Sequence, residues 1–168
     1  MSGGSVPSRP LALLDVDGVL LPSPPRRGRP PRVTLARAGR RVAELDSRYA
    51  GWLRELANQY DLAWASSWGR LAAEVIGPRL GLPPSLPVVA ITATDWVRTR
   101  KLPDVARFVG DRPCAWIDDQ LGTDAFAWAR DRAAPTLLLR TDPRVGLQLR
   151  HLQQLLLFAS AVRGAWAS

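Results

Sequence analysis

An apolar run, Leu13-Leu-Asp-Val-Asp-Gly-Val-Leu20, sets Asp15 and Asp17 two residues apart and follows them with a glycine. A second apolar run, Cys114-Ala-Trp-Ile117, ends in Asp118-Asp119. If both runs are strands of one parallel sheet, four carboxylates converge at the carboxyl ends of the strands, where such sheets bind their ligands. Their mutual repulsion reaches several kcal/mol unless cations neutralise it. One remedy is a divalent ion such as Mg2+, which takes a few carboxylates together with phosphate oxygens. The other is Lys101, the only lysine among 23 basic residues. In so arginine-rich a background its retention points to chemistry that needs an amine. Ser66 closes the run Leu62-Ala-Trp-Ala65 and adds a hydroxyl suited to a phosphate oxygen, with Ser67 beside it. Asp-x-Asp-Gly also opens calcium loops, but those require glycine at the sixth position and glutamate at the twelfth. Here those places hold Leu20 and Arg26, which argues against calcium.

These side chains need a sheet to bring them together, and the rhythm of the chain supplies one. Short apolar runs at 11–16, 62–66, 86–91, 114–118 and 136–139 read as strands. They alternate with amphipathic stretches at 49–60, 70–76, 103–109, 123–132 and 145–162, which read as helices. Strand and helix in turn predict an α/β fold with a parallel sheet covered on both faces. Asp46 or Ser47 is placed to cap the first of these helices. Residues 21–45 break the rhythm. The proline-rich run from Pro22 to Pro31 disfavours helix and central strand alike, and 33–36 with 41–45 are expected to pair as a hairpin turning around 37–40. The segment reads as a short flap inserted after the first strand.

Composition narrows the class. A chain of 168 residues with 46% hydrophobic and 23% charged residues is expected to form a single globular domain across 1–168. Its lone cysteine, Cys114, has no internal partner, the first residues lack the apolar core of a signal peptide, and no apolar stretch approaches membrane-spanning length. A cytoplasmic protein without a membrane segment or obligate protein partner is the expectation. A formal charge of +8 makes phosphorylated partners plausible.

Taken in order, Asp15-Val-Asp17-Gly, Ser66, Lys101 and Asp118-Asp119 resemble the four motifs of the haloacid dehalogenase (HAD) superfamily. Trp64-Ala-Ser-Ser-Trp68-Gly, Ala115-Trp-Ile-Asp-Asp119 and Asp142-Pro-Arg-Val-Gly-Leu147 are similar to the compact, cap-poor HAD domains of Swiss Army Knife RNA repair proteins. The resemblance implies a three-layer Rossmann-like fold with a five-stranded parallel sheet in the order 3-2-1-4-5 and a flap in place of a large cap. It further implies a Mg2+-dependent phosphatase. Asp15 would attack phosphorus, and Asp17 would protonate the leaving oxygen and then activate water. Ser66 and Lys101 would hold the phosphoryl oxygens. Asp119, Asp15 and the Asp17 backbone would ligate the metal, with Asp118 supporting or sharing that role. Members that cleave carbon–halogen bonds lack an acid at the position of Asp17, so its presence favours phosphoryl transfer.

The substrate is less legible. Arg26, Arg27, Arg29, Arg32, Arg37, Arg40 and Arg41 lie in a stretch without an acidic residue between Asp17 and Glu44. Such a run is either a solvated flap or a contact for phosphates of RNA. Trp64, Trp68 and Trp116 either stack on a base or belong to the core. Asp124 either caps a helix or supports the metal site. A phosphorylated nucleic-acid end or nucleotide and a small phosphorylated metabolite therefore both stand as substrates. The contrasting reading is a catalytically silent module of the same fold that binds RNA.

Overall fold

In the computed structural model, residues 9–22, 33–38, 41–92 and 99–166 are described. The arginines at 26, 27, 29 and 32 and Arg40 lie outside them, as does the side chain of Arg41.

Four parallel strands form the sheet: β1 (Leu11–Leu14), β4 (Asp61–Trp64), β5 (Cys114–Asp118) and β6 (Thr136–Arg140), in the order β4-β1-β5-β6. Leu11, Leu13, Cys114 and Trp116 project to one side, where they pack with Val105, Val109 and Ala125. Ala12, Leu14, Ala115 and Ile117 project to the other, against Leu53, Leu56, Leu152 and Leu155. Because neighbours alternate between faces, a strand apolar at every position feeds two cores at once. Helices α3 (Leu102–Val109) and α4 (Thr123–Asp131) therefore cover one face, and α1 (Arg48–Gln59) and α5 (Leu149–Trp166) the other. This is the α/β architecture expected from the alternation.

Among the described residues the expected five-stranded sheet is not formed: the sheet has four strands. The run at 86–91 meets β4 at a single bridge, Trp64 with Val88, through Trp64 N–H to Pro87 O (2.9 Å) and Val89 N–H to the Trp64 carbonyl (2.8 Å). Pro83, Pro84 and Pro87 carry no N–H, which denies this stretch the donors of a longer ladder. It lies where a fifth strand would run, yet contributes one rung.

Between β1 and α1 the strands β2 (Val33–Ala38) and β3 (Arg41–Asp46) pair antiparallel, from Val33 opposite Asp46 to Ala38 opposite Arg41. The hairpin expected here is present and slightly longer than its apolar pattern suggested. It is anchored through Ala36, Ala43 and Leu45, all buried in the α1/α5 core. Asp46 accepts a bond from the Arg48 N–H (3.0 Å) and so begins α1, while Ser47 makes no side-chain cap.

Two helices depart from expectation. The helix through 70–76 widens into a π-helical turn, Ala72–Ile76, continued by α2 (Gly77–Arg79). Pro78 cannot donate to a carbonyl behind it, and Gly77 N–H reaches back five residues to Ala72 O. The closing helix begins at Leu149 rather than 145, because Gly146 takes φ +74° and a Cβ there would meet the Val19 carbonyl at 2.5 Å. No helix among the described residues is long and apolar enough to cross a membrane.

Candidate active site

The parallel register places the ends of β1 and β5 side by side, with Asp15 N–H donating to Ile117 O (3.1 Å). Beyond β1 the chain folds back at once. The N–H groups of Leu20 and Leu21 both reach Val16 O (2.8 and 2.9 Å), and Gly18 N–H reaches Leu21 O (2.7 Å). This tight loop depends on glycine for two reasons. Gly18 has φ +73°, a left-handed conformation other residues rarely take. A Cβ there would also lie 2.5 Å from the Asp119 carboxylate carbon, so the bare backbone lets Asp119 close on the loop. Thr141, just beyond β6, locks the arrangement, donating from its hydroxyl to Gly18 O (2.9 Å) and from its N–H to Asp118 O (3.2 Å).

Asp15 and Asp118 are buried, and Lys101 joins them. Its Nζ stands 2.6 Å from Asp15 Oδ2 and 2.7 Å from Asp118 Oδ2. Burial pushes Asp15 up to about 6, assisted by the Asp118 charge and opposed by Lys101 and the Val16 N–H. Burial alone would lower Lys101, yet Asp118 and Asp15 together hold it above the usual amine range. Asp119, half-buried, is raised by burial and by its neighbour Asp118.

Carboxylate oxygens of Asp15, Asp118 and Asp119 lie within 4.8 Å of one another. Opposite ligands of an octahedral Mg2+ are about 4.2 Å apart, so the trio matches a small divalent cation in both donor type and span. Asp118 is thus drawn into the cluster with Asp119.

Asp17 stands outside this trio: it is exposed, and its Oδ2 accepts a bond from the Trp68 indole N–H (3.1 Å). Ser66 is buried, with Oγ accepting from the Trp68 backbone N–H (3.3 Å). The neighbouring Ser67 is the serine that lines the site cavity of about 150 Å³, alongside Asp15, Asp17, Thr99, Lys101 and Asp118. Arg100, Gln120 and Ile91 complete its wall.

Thr99 had no signal of its own in the sequence. Its N–H and hydroxyl donate to the two oxygens of Asp124 (3.0 and 2.7 Å), and its Oγ accepts from Gly122 N–H (2.7 Å). Burial pushes the Asp124 carboxyl up, but the two bonds from Thr99, together with the backbone N–H groups of Ala125 and Asp124 itself, outweigh it and hold the group below its usual range. The segment that delivers Lys101 is thereby tied to the loop after β5. A larger cleft lined by Arg112, Trp128 and Arg132 opens instead beside Pro113 and Pro135, at the amino ends of β5 and β6, far from the carboxylates.

A doubly wound α/β domain with a lysine-bridged aspartate pair at its strand ends defines the HAD class of proteins. Within it, the chain belongs to the family described as the HAD domain in Swiss Army Knife RNA repair proteins, whose profile matches residues 11–152. No curated protein and no solved structure matches the chain significantly.

Proposed function

We propose that the protein is a Mg2+-dependent phosphomonoesterase that works through an aspartyl-phosphate on Asp15. The observation that carries this reading is Lys101 Nζ seated between Asp15 and Asp118, at 2.6 and 2.7 Å, on the wall of a cavity of phosphoryl dimensions. A buried carboxylate that burial drives toward its neutral form is a poor nucleophile, and the lysine offsets that tendency. Asp15, Asp118 and Asp119 would hold Mg2+, which neutralises charge on the transferring phosphoryl group. Lys101 pairs with phosphoryl oxygens, and Ser67 on the wall, with Ser66 behind it, supplies the hydroxyl side of that cradle. Asp17 gives a proton to the leaving oxygen and afterwards takes one from the attacking water.

A cavity of about 150 Å³ accommodates little beyond the phosphoryl group, so the rest of the substrate lies outside it. The family's description points to RNA, and the arginines of residues 21–45 follow the first motif directly in the sequence. We therefore favour a phosphorylated nucleic-acid end or nucleotide over a small metabolite. The test is Mg2+-dependent phosphate release from phosphorylated oligonucleotides and small phosphomonoesters, with Asp15→Asn as control. Turnover that disappears in the variant and in chelator is expected. No release by well-folded protein, with oligonucleotide binding unaffected by Asp15→Asn, would replace this reading by the RNA-binding module.

A further inference from the structure

Asp17 is the exposed member of the acidic set, and a solvated carboxylate free to rotate does not present one oxygen to one atom. Its main chain is held by the Val16–Leu21 loop, where Asp17 bridges Leu21. Its side chain is held by Trp68, whose Nε1–H donates to Oδ2 at 3.1 Å. The indole is itself positioned: half-buried, it packs against the α1/α5 core, and its backbone N–H is bonded to Ser66 Oγ.

The direction of this bond is what gives it meaning. A hydroxyl or an amide can exchange the roles of donor and acceptor, whereas an indole nitrogen only donates. Oδ2 therefore acts as acceptor both when Asp17 is a carboxylate and when it is a carboxylic acid, and in the acid form the proton rides on Oδ1.

Resting on the phosphatase reading, we propose that Trp68 is a positioning residue for Asp17: by reserving Oδ2 as a constant acceptor, it makes Oδ1 the oxygen that moves the proton in both half-reactions. In the first, an Asp15 oxygen bonds to phosphorus and the bond from phosphorus to the leaving oxygen breaks. The electron pair goes to that oxygen, and the Oδ1 proton follows it. In the second, water oxygen bonds to phosphorus, the Asp15–phosphorus bond breaks, and Oδ1 takes the water proton, restoring both aspartates. Trp68 exchanges no proton, so it need not reorient between the two steps.

The test exploits leaving groups that differ in their need for a proton. Trp68→Phe keeps the packed ring and removes the N–H. On a simple alkyl phosphate, whose alkoxide must be protonated as it departs, kcat is expected to fall about a hundredfold, the usual worth of a positioned general acid. On para-nitrophenyl phosphate, whose phenolate leaves unaided, the nitrophenolate burst, which reports the first half-reaction alone, is expected to stay within about threefold of wild type, while steady-state turnover falls because hydrolysis of the aspartyl-phosphate still needs Oδ1. In an Asp17→Asn background the same change is expected to add nothing on the alkyl ester. A nitrophenolate burst slowed as much as turnover of the alkyl ester, or losses that add to those of Asp17→Asn, would overturn the proposal while leaving the phosphatase reading intact. Failure of the wild-type protein to turn over either ester in Mg2+ would remove that reading and the proposal with it.

Discussion

Gly18 and Asp119 approach so closely that a methyl group on the glycine would sit 2.5 Å from the carboxylate carbon. The first strand's loop and the second acidic pair are thus fitted backbone to side chain. Gly18→Ala forces Asp119 aside and places a Cβ at φ +73°, itself worth about 1–2 kcal/mol. Mg2+ affinity is expected to drop at least about tenfold and the melting temperature to fall by about 2–8 °C. Titration calorimetry and thermal melts check both, and an unchanged affinity would mean that Asp119 takes no part in holding metal.

The buried charge on Asp15 should be visible as a pH effect on stability. Burial, helped by Asp118 and opposed by Lys101, raises its carboxyl to about 6 from an ordinary 3.8. For a raised acid the stabilising contribution is complete below the unfolded value and is lost as pH climbs through the folded one. In chelator, Asp15→Asn should therefore melt several degrees above wild type at about pH 8 and lose that advantage near pH 4. A constant difference across this range in calorimetric scans would contradict the assignment.

Lys101 compensates two buried carboxylates, so its removal leaves both without their cation. Lys101→Met is expected to destabilise the metal-free protein by about 3–5 kcal/mol at neutral pH and to abolish turnover. Added Mg2+ should restore part of the stability but none of the activity. Denaturant unfolding with and without Mg2+ distinguishes this from simple loss of packing, which metal would not repair.

Asp124 acts on Lys101 at one remove, through Thr99. Asp124→Ala and Thr99→Val are each expected to cut kcat by about ten- to a hundredfold, the range seen when the support of a site residue is removed. Combined, they should cost little more than either alone, because both break the same link. Independent, additive losses in steady-state kinetics would show that the two residues serve separate purposes.

The apolar runs that became β1, β4, β5 and β6 were legible because each has an uninterrupted apolar centre before a polar end, and three of those ends carry Asp15, Ser66 and Asp118. The run at 86–91 has a similar apolar look, but Pro87 within it and Pro83-Pro84 just before it leave it one bridge on Trp64. Helix starts were read to within a few residues except at 145–148, where contact between Gly146 and Val19, far apart in sequence, holds the chain out of helix. The motif register favours Ser66 over Ser67, yet Ser67 is the serine that lines the cavity, since which hydroxyl reaches it depends on how the turn into Trp68 is packed.

From the sequence alone came the identity and order of the candidate site residues, two acidic strand ends and one lysine, because strand-forming patterns and terminal charges are local properties of the chain. Tertiary structure alone decided the partners: Trp68 on Asp17, Asp124 on Thr99, Asp119 against Gly18, and Lys101 shared by Asp15 and Asp118. Each of these contacts joins residues at least 17 positions apart, up to 101 for Gly18 and Asp119. They form only when parallel strands in register bring their carboxyl ends into one plane, and hydrogen-bond reach, about 3 Å, is far finer than any periodicity in the sequence can specify.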